Sequence, residues 1–217
     1  MATDITSPAQ PVGLRETKKQ ETRQLISDHA TRLFLAQGFE RTTISEIADA
    51  ARVAKKTVTN YFPRKEDLAL DHQDAFVDAL AHQVTTRRPG ESALAALRRG
   101  FAVAAAAADP VSGFSGVDFA RMVADSPALS SCLRGLHDRR ERALANALAA
   151  AVGSPESDIT VQTAAGLLSS VHRILFQRIQ DLTLAEVPAR EIAETITTEG
   201  ATAFDMLEPA LAHYAIA

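Results

Sequence analysis

Tryptophan is absent from the 217 residues, cysteine occurs once, at Cys132, and lysine does not appear after position 65. A single cysteine excludes an intrachain disulfide framework and a cysteine-built zinc site, and a reducing, cytoplasmic setting is expected. No run approaches the roughly 20 uninterrupted apolar residues of a membrane span, so no membrane partner is expected. The opening MATDITSPAQPVGL has an acid and no basic stretch ahead of an apolar run, which is unlike a signal peptide. Pro8, Pro11 and Gly13 make residues 1–14 read as a disordered arm. A Gly-rich phosphate loop and a G-x-S-x-G elbow are both missing, and Cys132 has Ser131 and Leu133 beside it rather than an activating base. The six histidines show no close ligand pair. Asp67, Asp71, Asp74 and Asp78 read as a solvated helix edge. No enzyme activity, metal or cofactor is expected.

What is present is alanine, and with it helix propensity, in a chain of 46% hydrophobic and 23% charged residues. The net charge of -4 conceals a division. Residues 15–65 hold 11 Lys or Arg against 6 acids, whereas residues 66–217 hold 12 Arg against 20 acids. A basic head on an acidic body points to an anionic polymer as the head's partner, with a merely solvated surface as the bland alternative.

Periodicity predicts an all-α chain of about nine helices and no strands. The first runs from about Glu16 to Gln37 with Ile26, His29, Ala30, Leu33 and Phe34 as its buried stripe, and Gly38 stops it. Thr43 and Glu46 form a capping box for a short helix whose apolar face is Ile44, Ile47, Ala48 and Ala51. After a turn at Arg52–Val53 a second short helix spans about Lys55 to Tyr61, ended by Pro63. Two lysines open that helix, at the end where a cation is ordinarily unfavourable by roughly 0.3–1 kcal/mol. An expected anion resolves the anomaly. Three helices with a tight turn before the last make a helix-turn-helix, whose last helix enters the major groove. Further helices are predicted over 65–85, 91–108, 115–124, 126–152 (Ser126 as cap, Pro127 at its first position), 157–182 and 188–212.

The run RQLISDHATRLFLAQGFERTTISEIADAARVAKKTVTNYFPRKEDL resembles the tetracycline-repressor (TetR) family of bacterial transcription regulators. Ile26, Ala30, Leu33-Phe34, Gly38-Phe39, Thr42-Thr43-Ile44, Ile47-Ala48, Val53, Thr57-Val58, Asn60-Tyr61-Phe62, Lys65 and Leu68 carry the likeness in register. It covers about a fifth of the chain. The resemblance implies a DNA-binding domain at 15–65 and a ligand-binding and dimerisation domain at 66–217. It implies a homodimer paired through the last two helices, a palindromic double-stranded DNA operator, and a small-molecule effector whose binding shifts the reading heads and releases DNA. By position it assigns Lys55, Lys56, Thr59 and Asn60 to the groove, and Thr43, Thr57, Tyr61 and Lys65 to phosphates. For Thr57 and Tyr61, packing and capping alone remain the alternative. The chain departs from the family where Gly commonly stands in the turn (Arg52) and where Ser commonly caps the recognition helix (Ala54). Each departure costs about 1 kcal/mol unless the turn is reshaped or Arg52 holds a phosphate.

Small residues of the segments near 158–182 and 188–212 (Ala164, Ala165, Gly166, Ser169, Ser170; Gly200, Ala201, Ala203) suit a dimer bundle, with an ordinary internal core as the alternative. Candidate pocket residues are Phe101, Phe114, Phe119, Arg121, Met122, His137, His172 and Phe176, for a mainly apolar or amphipathic effector. Arg121 or Arg173 is a candidate for an anionic headgroup, against a surface ion pair. The expected function is a ligand-responsive DNA-binding repressor. A helical ligand carrier or enzyme with an incidental basic head is the alternative from another class. A third reading, an architectural nucleic-acid binder, sits poorly with the large acidic body.

Overall fold

The computed structural model describes residues 13–217. Most of the expected arm, residues 1–12, lies outside the described residues, and its last two positions, Gly13 and Leu14, already cap and begin the first helix. Among the described residues there are eleven α-helices, one 3-10 turn and no strand. They fall into two compact units that divide after Ala69.

The first unit holds α1 (Leu14–Gln37), α2 (Ile44–Ala50), α3 (Lys55–Tyr61) and α4 (Lys65–Ala69). Ile26, Ala30 and Phe34 of the predicted stripe are buried, with His29 and Leu33 half-buried on its flank. Ile47 of α2, Val58 of α3 and Leu68 of α4 are fully removed from water as well, with α1 packed on α2 and α4 and α2 on α3. Gly38 ends α1 at φ 89, a conformation that costs glycine nothing.

The second unit comprises α5 (Gln73–Thr85), α6 (Ala93–Ala106), a 3-10 turn (Pro110–Ser112), α7 (Val117–Asp125), α8 (Pro127–Val152), α9 (Ile159–Leu184), α10 (Ala189–Asp205) and α11 (Glu208–Leu211). Two of the nine expected helices are each divided. The segment 65–85 breaks at 70–72, where one unit gives way to the other and no glycine or proline marks the place. The segment 188–212 breaks before Pro209, which has no N–H to continue the ladder. The expected solvated acidic edge also needs correction at Asp67. That side chain is buried, and its carboxylate accepts the Arg64 backbone N–H and the Arg64 guanidinium.

α8 begins as predicted, with Pro127 at its first turn and the Ser126 hydroxyl accepting the Leu129 N–H. It packs against α5 on one side and α9 on another, while α10 closes over α6 and α9. Much of the small-residue pattern expected at a dimer face is used inside this unit instead. Ala164, Ala165 and Ser169 are buried in the single chain. Gly200 lies where α10 crosses α6 so closely that a Cβ there would stand 2.6 Å from the Phe101 ring. Phe101 is itself wedged between the rings of His172 and Phe204 and has little room to yield.

Gly200→Ala is therefore expected to lower the stability of the second unit by about 1–3 kcal/mol in urea unfolding, through overpacking. Gly135→Ala, on an exposed face of α8 with nothing near its Cβ, is expected to raise it by up to about 1 kcal/mol. Equal effects of the two substitutions would contradict this packing account.

Candidate nucleic-acid interface and interior polar cluster

The candidate interface is built on α2, the turn after it, and α3. At the start of α2 the expected capping box is complete: the Thr43 hydroxyl accepts the Glu46 N–H at 3.2 Å, and the Glu46 carboxylate accepts the Thr43 N–H at 2.7 Å. The Thr43 backbone and hydroxyl hydrogen bonds hold the Glu46 carboxyl below its ordinary range. Arg52 stands in the turn at φ 56, in the left-handed region, with its side chain exposed. The turn has thus kept the conformation that suits glycine, and arginine adopts it at a cost of about 1 kcal/mol. Two turn hydrogen bonds hold it there, Arg52 N–H to Asp49 O at 3.1 Å and Val53 N–H to Ala48 O at 2.9 Å. Ala54 caps α3 in extended backbone and offers no side-chain acceptor.

α3 turns Val58 into the core and leaves Lys55, Lys56 and Asn60 exposed, with Thr57, Thr59 and Tyr61 half-buried. The Thr59 hydroxyl donates to Lys56 O at 3.1 Å. Among the described residues, neither Lys55 nor Lys56 pairs with a carboxylate, and Arg52 has no ion pair. Other cations of the head are engaged within it. The Lys65 ammonium donates to the carbonyls of Phe39, Glu40 and Thr42 at 3.0–3.3 Å and sits 4.3 Å from the Phe39 ring centroid. Arg23, which sequence reasoning passed over, donates to Tyr61 O at 3.1 Å and lies 4.3 Å over the Phe62 ring. Nothing local in the sequence distinguishes Arg23 from a solvated arginine, because its partners are 38 residues away.

The eight candidate pocket residues separate into groups. Phe101 and His172 meet edge to face at 5.8 Å, with Phe204 beside both. His137 and Phe176 meet at 5.2 Å, with Phe76 of α5 completing a second aromatic trio. Met122 is buried and Phe119 half-buried on α7. Phe114 lines an open cleft of about 390 Å³ with Val117, Thr183, Val187 and Ile192. Arg121 is exposed and pairs with Glu186 at 3.2 Å, the surface ion pair that stood as its alternative role. Arg173 is also exposed.

Against the second trio lies a residue the sequence concealed within its RRER run, Arg140 of α8. It is 5% exposed, with its guanidinium 4.5 Å over the Phe76 ring. Its Nε, the Nε2 of His172 and the hydroxyl of Ser169 are buried with no hydrogen-bond partner among the described residues. Burial pushes the Arg140 guanidinium down to about 10, still charged at neutral pH, with Asp109 acting the other way. Burial, aided by the Arg140 charge, holds His137 down at about 4 and His172 well below the usual histidine range.

No group of three or more His, Cys, Asp or Glu able to hold a metal ion, and no helix long and apolar enough to cross a membrane, occurs among the described residues.

Residues 26–71 match the family model of "Bacterial regulatory proteins, tetR family". The chain is 38% identical over 89 residues to the HTH-type transcriptional regulator TcmR of Streptomyces glaucescens, a match covering 41% of this chain and 39% of that protein. It is 48% identical over 56 residues to the HTH-type transcriptional regulator AcrR of Shigella flexneri, covering 25% of this chain and 26% of that one. The chain therefore spans about two fifths or less of the length of these curated relatives. Among solved structures, a SmeT–triclosan complex superposes with a TM-score of 0.57 at 18% identity, covering 91% of this chain and 95% of that one. Thermus thermophilus FadR, a TetR-family repressor in complex with lauroyl-CoA, superposes with a TM-score of 0.51 at 24% identity, covering 87% and 95%. At these identities the structural likeness establishes the fold.

Two measurements check this geometry. Arg52→Gly and Ala54→Ser are each expected to stabilise the head by about 0.5–1 kcal/mol, by relieving the positive φ and supplying a cap. Thermal unfolding reads this, and a loss of stability in both variants would show that the turn is built otherwise. Because the two histidines are held neutral in the fold, the unfolded chain binds more protons below pH 6.5. Stability is then lost as pH falls from about 6.5 toward about 4. His172→Phe is expected to flatten that acid limb of the melting-temperature profile; an unchanged limb would contradict the burial of a neutral imidazole.

Proposed function

We propose that this chain, a tetR-family protein by its residues 26–71, is a homodimeric transcriptional repressor that leaves a palindromic operator when a small effector binds its second unit. The observation that carries the reading is the sorting of the head's cations. Arg23 and Lys65 are engaged with backbone carbonyls, while Arg52, Lys55 and Lys56, on the turn and on α3, are exposed with no carboxylate partner among the described residues. Unpaired cations clustered on one short helix favour a polyanion that neutralises them and releases its counterions. Lys55 and Lys56 face guanine edges, and Asn60 reads adenine or holds phosphate. Arg52, Thr57 and Tyr61 contact the backbone. Lys65 and Thr43 act through the frame, their polar atoms being occupied by the loop carbonyls and by the capping box.

Dimerisation through α9 and α10 is favoured by apolar side chains that the single chain leaves in water. Ile159 and Ile174 are 78% and 64% exposed, and with Leu167 they follow one face of α9. Met206, at the end of α10, is exposed as well. The protein acts in the cytoplasm and is not an enzyme. That the regulators TcmR and AcrR share the head supports this, as does a SmeT structure holding triclosan.

Fluorescence anisotropy with DNA from upstream of the protein's own coding region tests the reading. A specific complex is expected that weakens steeply with salt. Lys55→Ala or Asn60→Ala should reduce discrimination against shuffled DNA by about 1–3 kcal/mol, while Lys65→Met should lower the melting temperature of the head and leave the salt slope of the folded fraction unchanged. Equal affinity for shuffled DNA would sink the proposal. Sedimentation is expected to show a dimer that Ile174→Glu dissociates.

A further inference from the structure

Arg140 is an unusual thing to find in the middle of a helical unit. A guanidinium has five N–H donors and keeps its charge, and burying one without a carboxylate is strongly unfavourable. Arg140 is 5% exposed, makes no ion pair among the described residues, and has its guanidinium over the face of Phe76. Asp109, the acid that acts on it electrostatically, is already engaged as acceptor for the Val111 N–H at the 3-10 turn. α9, which packs against α8, carries His172, 6% exposed and within electrostatic reach of Arg140, and Ser169; the His172 Nε2 and the Ser169 hydroxyl are unpartnered among the described residues. Ser169 and His172 are three residues apart on α9 and so share a face. Buried polar groups in folded proteins almost always find partners, so three orphans that include a cation call for a missing one.

We infer that the interior of the second unit holds an anion-binding site in which Arg140, His172 and Ser169 take the single carboxylate of a ligand whose apolar body lies among Phe76, Phe101, Phe176 and Phe204. The inference rests on the effector reading above and names the chemistry of that effector. With both nearby imidazoles neutral, Arg140 contributes one positive charge, which a monocarboxylate neutralises; a phosphate dianion would leave a net charge in the same apolar surroundings. The guanidinium fork matches a carboxylate in a bidentate pair, a neutral imidazole adds an N–H donor, and the serine hydroxyl adds another. The four phenylalanines, now packed on one another and on the two histidines, would have to part to admit an alkyl or aryl body, and their apolar rings suit one.

The test uses the full-length chain, with decanoate and its uncharged counterpart decanol as probes and thermal unfolding as readout. Without ligand, Arg140→Met is expected to melt higher than the natural chain, because an uncompensated buried charge is replaced by an apolar side chain of similar length. Decanoate is expected to raise the melting temperature of the natural chain by at least about 2 °C, and that of Arg140→Met by less than half as much. His172→Phe, which keeps an aromatic ring in place, should weaken the response to decanoate while sparing any response to decanol. Arg140→Met melting lower or failing to fold would make Arg140 a packing residue and overturn the inference. So would decanoate stabilising both chains equally or neither. If decanol stabilises as well as decanoate, the anion site falls while an apolar effector site stands; loss of sequence-specific DNA binding would instead remove the repressor reading.

Discussion

Two cations bonded to backbone carbonyls hold the head together. The Lys65 ammonium gathers three carbonyls of the α1–α2 connection, and Arg23 reaches from α1 to the last carbonyl of α3 while covering the Phe62 ring. Each satisfies backbone acceptors that a short helix or a loop leaves open, and each sets its charged group over an aromatic ring. The consequence is a fixed orientation for a helix of seven residues, too short to be stable alone. In that orientation Val58 lies inside and Lys55 and Lys56 lie outside. On the proposed reading, an interface that meets a regular duplex depends on such a fixed aim.

The same chain treats buried charge in two opposite ways. In the head, Asp67 is buried and its carboxylate answered by Arg64. In the second unit, Arg140 is buried and unanswered, with neutral imidazoles for neighbours. The contrast between one interior charge that is neutralised and one that is not is what the proposed anion site would explain. A strained, under-satisfied interior is also one that a ligand stabilises most, since binding removes the cost of the unpaired group.

The head was largely legible in the sequence because its signals are local. The capping box, Gly38 and Pro63 act within three or four residues, and the stripe of α1 repeats at helical spacing, so α1 to α3 fall within two residues of where the pattern puts them. The left-handed turn at Arg52 was legible only through the resemblance. What escaped was nonlocal. Arg23 and Lys65 look like surface cations until their distant carbonyls are in view. The break between α4 and α5 follows from the boundary between units, not from any breaker in the sequence. In the second unit, four of the small residues that read as a dimer face, Ala164, Ala165, Ser169 and Gly200, are buried within the single chain, with Gly200 set against Phe101. Arg140 was hidden because charge patterning treats RRER as a solvated run, whereas helical phase buries its second arginine and leaves the first exposed.

On the proposed reading, Lys55 and Lys56 meet DNA and Lys65 holds the frame. Reductive methylation followed by mass spectrometry reads this residue by residue. Lys55 and Lys56 should react readily in the free protein and become protected on operator DNA, while Lys65 should react slowly in both. Lysines on α3 that remain as reactive on DNA as off it, or a Lys65 that is labelled freely without DNA, would contradict the account.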